Sequence, residues 1–392
     1  MTLPKHPILS SRAASALFLL SAGVLASPAV AAAFRRVEPR WLHVALLATL
    51  LSSGLVPLAG WLARRVGAVD RPDARKIHDV PTPRLGGAAV FLSFAIALWA
   101  NGVFTPRLVT VVAASTLIFA LGAADDMFSL GAGLRLIVQV AACGVLIAGG
   151  VLVKIVPPTV PYWWLPDSLL TVLWVLAATN AFNFLDGMDG LAGGLGLIAG
   201  GVLGLLAFRT GAADLGWSCV ALLGACAGFL PFNFRPGRRA LIFLGDSGST
   251  FLGFLLATLA ILGEWSQGDP VVSACVPVLV FFVPLFDLAY TSVERFASRK
   301  VSTLGQLLAY TGKDHIHHRL SAVLGSRGAT VVFLYVFSAC VGVVAVAAPR
   351  VGTGMVLILV TQVTVVAGLI SALEISARRR ISAPAATSDE PS

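Results

Sequence analysis

Uninterrupted apolar runs dominate this chain, most of them about 18 to 24 residues long, such as WLHVALLATLLSSGLVPLAGWLA at 41–63. That is the length an α-helix needs to cross roughly 30 Å of hydrocarbon, where every backbone N–H and C=O must be paired within the segment. A barrel is a poor alternative, because its strands would alternate apolar and polar residues over short stretches. Composition agrees with helices in lipid: of 392 residues, 57% are hydrophobic and only 12% charged, far from the usage of a soluble domain.

The runs predict an all-α polytopic membrane helix bundle of about 11 transmembrane helices. They lie at 41–63, 85–104, 107–124, 134–153, 162–182, 190–208, 214–232, 243–263, 271–291, 329–348 and 351–374. The five cysteines, Cys143, Cys219, Cys226, Cys275 and Cys340, all fall inside these runs without metal-ligand spacing. They read as small buried hydrophobes.

A net charge of +9 raises the question of a nucleic-acid partner, but the distribution of that charge argues for none. With the first span starting outside, nineteen Lys and Arg fall in loops on the inner face or after the last span, including Arg64, Arg84, Arg135, Arg235, Arg295, Lys313 and Arg378. Only Arg107, Lys154, Arg209 and Arg350 lie outside. The positive-inside rule then puts the N-terminal end of the bundle out and the C-terminal end in, across the inner (plasma) membrane. Residues 1–34 have a basic start, an apolar middle and small residues suited to cleavage, so they read as a signal peptide, with an extra N-terminal helix as the rival. Residues 41–375 form the membrane domain, and 376–392 a polar cytoplasmic tail expected to be disordered.

On that topology the acids gather at one face. Asp125 and Asp126 end the third span, Asp186 and Asp189 follow the fifth, Asp246 opens the eighth, and Asp287 closes the ninth. Asp314 and His315, His317 and His318 lie in the loop that follows. A single Asp at a helix end is ordinarily a solvated terminus, and GDSGS taken alone reads as an N-cap. Several gathered carboxylates need a cation, and Mg2+, with Mn2+ as the alternative, accepts Asp and Asn oxygens together with substrate phosphates. Facing them are Arg84, Arg135 and the cluster KDHIHHR at 313–319, where zinc is disfavoured because no thiolate or spaced fourth ligand accompanies the histidines. Metal-binding acids opposite phosphate-binding bases suggest phosphoryl transfer. The strongest local signal is NAFNFLDGMDGLAGG, whose Asn180, Asn183, Asp186 and Asp189 recur every three residues. On a helix such a ladder is expected to line one groove until Gly187 and Gly190 loosen the backbone.

RPDARKIHDVPTPRLGG, GAADDMFSL, NAFNFLDGMDGLAGG, FLGDSGS, PLFD and DHIHHRL occur here in order, and in that order the sequence resembles the polyprenyl-phosphate N-acetylhexosamine-1-phosphate transferase family, glycosyltransferase family 4. PTPRLGG and HIHHRL are more similar to the GlcNAc-type members than to the phospho-MurNAc-pentapeptide branch. The resemblance implies eleven helices and a cytoplasmic active site. It implies transfer of a sugar 1-phosphate from a UDP-N-acetylhexosamine to undecaprenyl phosphate, with UMP released. It also implies that Asp246 is the prime magnesium ligand with Asn183 near the metal, and that Asp125 or Asp126 positions or deprotonates the lipid phosphate. Asn180, Asn183, Asp186 and Asp189 would line the nucleotide side, with Arg84 also binding substrate, while His315, His317, His318 and Arg319 hold the donor pyrophosphate or sugar. A phosphate monoester is already largely ionised near neutral pH, so direct attack by the lipid phosphate is preferred to an Asp base. Ser129 stands where many relatives have a third acid, and no role is assigned there. An ion-coupled transporter is the competing class, but it would place its acids near the midplane of broken helices, in repeated halves. The sugar and the polysaccharide pathway stay open, as does a homo-oligomer.

Overall fold

The computed structural model describes residues 12–36, 40–70, 81–266, 268–310, 312 and 314–382. The first half of RPDARKIHDVPTPRLGG, Lys313 of the basic cluster, and the tail beyond 382 lie outside the described residues. Of the described residues 79% are helical, and their order is α1 (Arg12–Ala26), α2 (Pro28–Arg36), α3 (Arg40–Val66), β1 (Val69–Asp70), β2 (Thr82–Pro83), α4 (Gly86–Ala100), α5 (Pro106–Phe128), α6 (Ala132–Ala148), α7 (Trp164–Leu185), α8 (Leu191–Arg209), α9 (Ala213–Asn233), α10 (Gly245–Leu262), α11 (Pro270–Val280), α12 (Phe282–Ala297), α13 (Leu304–Ala309), α14 (Ile316–Leu324), α15 (Arg327–Ala347) and α16 (Thr353–Ser382). A helix stands at each of the eleven predicted positions. Among the described residues eight helices are long and apolar enough to cross a membrane, or up to ten if the bent pairs α1–α2 and α11–α12 each count as one span, while α4 and α6 are shorter apolar helices.

Local chemistry sets the ends. Thr105 accepts the Leu108 N–H at 3.3 Å with Pro106 in the first turn of α5, and Asp269 does the same for Val272 at 3.0 Å before Pro270 opens α11, the arrangement expected of helix N-termini. The predicted ninth span is broken: α11 and α12 meet at Phe281 with a bend of 78°. Pro284 has no N–H to continue the ladder, and Pro277 already weakens the preceding turn.

The bundle closes around α10. Its apolar window is 83% buried, against 17% for α16, and it packs on α5, α7 and α4. Leu369 and Leu373 of α16, Ile137 of α6 and Val343 of α15 stay exposed, as lipid-facing side chains do. Without a hydrophobic drive between helices in lipid, close backbone approach supplies the packing. Gly122 of α5 abuts the start of α10, where a Cβ would fall 2.6 Å from both the Asp246 carbonyl and Ser247 Cα. Gly224 and Gly228 on α9 press against the Ala45 and Thr49 carbonyls of α3 in the same manner.

The N-terminal segment is helical and docked. Ala22 is fully buried, Leu19 covers Gly54 of α3, and His43 bridges the Leu25 carbonyl at 2.8 Å and Asn101 Oδ1 at 2.9 Å. Arg40 reaches the Asn101 carbonyl and lies 5.2 Å from the Trp217 ring centroid.

Gly122→Leu is expected to separate α5 from α10, because the opposing atoms are backbone and cannot rotate away. Overpacking of this kind costs about 1–3 kcal/mol, read as a lower thermal midpoint in detergent. An unchanged midpoint would show that the crossing does not need the glycine.

Candidate active site

Consecutive helical residues point about 100° apart, so Asp125 and Asp126 serve different neighbours. Asp125 accepts the Leu130 N–H at 2.5 Å and pairs with Arg135 Nη1 of α6 at 2.9 Å. Asp126 turns to the first turn of α10 and accepts the N–H groups of Asp246 at 2.9 Å and Ser247 at 3.0 Å. A carboxylate there satisfies two orphan donors and complements the helix dipole.

Arg84 arrives on a backbone clamp. Phe243 N–H donates to the Pro83 carbonyl, and the Gly86 and Gly87 N–H groups donate to the Phe243 and Leu244 carbonyls at 2.8–2.9 Å. Gly245 takes φ of +78°, and a side chain there would strike the Arg84 carbonyl and the Asp126 carboxylate. The guanidinium thereby stands 3.7 Å from Asp126 Oδ1 and 3.5 Å from Asp246 Oδ2. Burial alone would lower its pKa, but Asp126, Asp246, Asp70 and Asp186 outweigh that and raise it. The Asp126 side chain is fully enclosed, whereas that of Asp246 is 25% exposed. Asp246 is therefore the acid of this pair that a ligand can reach.

From α7, Asn183 Nδ2 donates to Asp246 Oδ1 at 2.7 Å and Ser249 Oγ at 2.9 Å. Its amide nitrogen faces the carboxylate, which places Asn183 to hold Asp246 in orientation. Asp186 follows the last turn of α7, and burial, reinforced by Asp246 and Asp126, pushes its carboxyl well above the ordinary carboxylate range.

The ladder does not line one groove as expected. Asn180 donates to Gln139 of α6 at 3.0 Å and to the Leu176 carbonyl at 2.7 Å. Asp189 accepts the Ala240 N–H at 3.3 Å. Asn183 bonds Asp246, and Asp186 lies close enough to feel its charge. The turn after α7 is held from outside: Gly190 donates to Asn233 Oδ1 at 2.6 Å, its carbonyl accepts from the Tyr335 hydroxyl at 2.5 Å, and Asn233 Nδ2 donates to the Ile242 carbonyl at 2.9 Å. Sequence reasoning missed Asn233 and Gln139; their one signal was a polar side chain in or at the end of an apolar run.

The histidine segment approaches the same turn. Phe184 and His315 have ring centroids 5.3 Å apart, and the His317 Nε2 lies against Gly187. Its members are unequal. His315 is bonded to Asp287 and Arg295, and Asp314 is bonded to Arg295. Arg319 is 3% exposed and paired with Glu294 and Glu374, both at 3.3 Å, with its guanidinium 4.1 Å from the Tyr290 centroid. That links α14 to α12 and α16. His317 is 1% exposed, and neither ring nitrogen has a hydrogen-bond partner. The His318 ring lies beside it, with centroids 4.3 Å apart and planes tilted by 44°.

The fold and the site together define a polytopic membrane protein that sets an arginine against several carboxylates at one end of its bundle. The family model for glycosyl transferase family 4 matches residues 108–264. A probable undecaprenyl-phosphate N-acetylglucosaminyl 1-phosphate transferase from Bacillus subtilis is 31% identical over 301 residues, covering 74% of this chain and 80% of the relative. A decaprenyl-phosphate N-acetylglucosaminephosphotransferase from Mycobacterium tuberculosis is 34% identical over 336 residues, covering 77% and 79%. An undecaprenyl-phosphate alpha-N-acetylglucosaminyl 1-phosphate transferase from Salmonella typhi is 31% identical over 280 residues, covering 69% and 73%. The chain belongs to glycosyl transferase family 4.

Burial, with His318 as the next contribution, pushes the His317 pKa down to about 3 from an ordinary 6.5. The unfolded chain binds this proton first as pH falls, so His317 contributes stability that is complete above about pH 6.5 and is lost progressively toward pH 3. His317→Gln is expected to flatten the fall in thermal midpoint between pH 7 and pH 5. Identical slopes for the two proteins would show that His317 is not held neutral.

Proposed function

We propose that this chain transfers N-acetylglucosamine 1-phosphate from a UDP-sugar to undecaprenyl phosphate, releasing UMP and leaving a lipid-linked pyrophosphoryl sugar, the first membrane step of a cell-envelope polysaccharide. The observation that carries the reading is the convergence of Arg84, Asp126, Asn183, Asp186 and Asp246 at one end of an apolar bundle. The names of the relatives supply the substrate class.

The donor set fits Mg2+. Among the described residues no three His, Cys, Asp or Glu side chains form a metal cage, and magnesium characteristically takes one or two carboxylates and completes its octahedron with water and substrate phosphates. Asp246 would hold it, and the ion would neutralise charge on the pyrophosphate. In the transfer, an oxygen of the lipid phosphate forms a bond to the sugar-bearing phosphorus, and the bond from that phosphorus to the bridging oxygen breaks. UMP leaves with the bridging oxygen and its electron pair. Asp126 has each oxygen committed to a backbone N–H, and Asp125 is committed to Leu130 and Arg135. These structural roles, together with an acceptor that is already ionised, support direct attack over an Asp base. The contribution of Arg84 is positional and electrostatic, as expected of phosphoryl transfer.

The distribution of Lys and Arg supports eleven crossings with the site on the cytoplasmic face of the inner membrane. The docking of α1 on α3 supports a retained extra helix over a cleaved signal peptide.

Purified protein given Mg2+, undecaprenyl phosphate and a panel of UDP-GlcNAc, UDP-GalNAc and UDP-MurNAc-pentapeptide is expected to release UMP with the first. Asp246→Asn should reduce that release by at least about 100-fold, the order seen when a principal electrostatic group is removed, while leaving insertion intact. Lipid-dependent release with none of the donors would end the enzyme reading. In intact cells, a cysteine placed at the exposed Ser302 should resist an impermeant maleimide and react after the membrane is opened. Labelling from outside would invert the topology.

A further inference from the structure

One face of α12 has no counterpart in the chemistry assigned so far. Asp287, Thr291 and Arg295 follow one another at four-residue steps and are 1%, 1% and 3% exposed, while Val293 and Phe296 of the same helix are open. A buried Asp–Thr–Arg stripe in so apolar a chain is costly unless every polar atom is met. One short segment, Asp314–His315–Ile316, meets it. Arg295 grips Asp314 through Nε at 2.9 Å and Nη2 at 2.7 Å, a two-point contact of the fork type. Asp287 accepts the Ile316 N–H at 2.6 Å and pairs with His315 Nδ1 at 2.8 Å, with Thr291 supporting the carboxylate at 3.3 Å. Tyr310 lies under the guanidinium at 4.5 Å.

These contacts fix a tautomer. Arg295 Nη2 stands 3.3 Å from His315 Nε2, and a guanidinium can only donate, so Nε2 accepts. The ring proton is then on Nδ1 and is given to Asp287. Both nitrogens of His315 are consumed inside the protein, and nothing of it remains for a substrate. Two residues on, His317 lies parallel to it, with 3° between ring planes and 6.0 Å between centroids. Yet His317 is buried with no partner on either nitrogen. A neutral imidazole always carries one N–H, and leaving it unmet costs about 1–3 kcal/mol. The unmet group faces the Gly187 turn beside Asp186, so an incoming oxygen there would satisfy it.

We propose that Asp287 and Arg295 are positioning residues: they lock Asp314 and His315 as a strut, and so aim His317 at a phosphate oxygen of the sugar donor. The inference rests on the transferase reading for the identity of that donor. Loss of the strut should therefore loosen one segment and one substrate, not the whole bundle.

The test uses the full-length protein in detergent with Asp287→Ala and Arg295→Lys, because the milder variant keeps a charge but not the fork. Affinity for UDP-GlcNAc is measured by titration without lipid, KM for undecaprenyl phosphate by turnover, and amide hydrogen exchange across 314–320. Asp287→Ala is expected to weaken UDP-GlcNAc binding about tenfold or more, the loss of charge-assisted bonds of this kind, to speed exchange in 314–320, and to leave the lipid KM within about twofold. Arg295→Lys should fall between wild type and Asp287→Ala in all three; if Asp287→Ala does not fold, the same pattern in Arg295→Lys decides the matter. Unchanged exchange and unchanged donor affinity would overturn the proposal, and so would an equal loss for donor and lipid. Failure of the wild type to turn over any UDP-sugar would sink the transferase reading instead, and the exchange data would still judge the strut.

Discussion

The contact on which the site depends is the Asp126 carboxylate laid across the first turn of α10. It is fully enclosed, and its two oxygens take the N–H groups of Asp246 and Ser247. An enclosed carboxylate is costly without such donors, and the start of α10 is a concentrated source of them because its N–H groups have no intrahelical acceptor. The bond also sets a position: because it reaches the main chain of Asp246, it fixes where that residue's side chain begins. Asn183 then fixes where the side chain ends. Two acids close together are tolerated because one is neutralised by backbone dipoles and both lie near Arg84.

The architecture was legible because lipid leaves few options. A run of apolar residues long enough to span had to be a helix, and a helix stands at every position where such a run was found. The break between α11 and α12 was not foreseen, since hydropathy averages over Pro277 and Pro284 without registering where the backbone turns. In the site, DD, GDSGS and PTPRLGG were read as chemistry-bearing, and Asp126, Asp246 and Arg84 do meet. The ladder was misread for a geometric reason. Three residues on a helix advance about 300°, so each step slips back about 60° and four members fan across half the circumference. Moreover α7 ends at Leu185, which takes Asp186 and Asp189 off the helix altogether.

What stayed hidden was the identity of partners. Gln139 for Asn180, Asn233 for Gly190, Glu374 for Arg319, and Asp287 for His315 are separated along the chain by 41, 43, 55 and 28 residues. Nothing in local spacing links them. The cost of burying a polar group says only that each must have a partner, and the fold alone says which. The same holds within HIHHR: a motif displays residue types but not that His315 is paired with Asp287 or Arg319 with Glu294.

Arg84 differs from Arg135 and Arg295 in how tightly it is paired. Arg135 meets Asp125 at 2.9 Å, and Arg295 grips Asp314 at two points no longer than that. Both have the short geometry of committed charge-assisted bonds. Arg84 stands 3.5–3.7 Å from two carboxylates at once, with its side chain 31% exposed. At such separations the Coulomb attraction is nearly that of contact while the directional hydrogen bond is weakened. Among the described residues, the guanidinium is thus attracted to the cluster without a short bond to any one acid. A cation that balances the acids before substrate arrives can contribute charge and orientation to the donor afterwards. The backbone clamp through Pro83, Phe243 and Leu244 keeps its Cα in place in both circumstances.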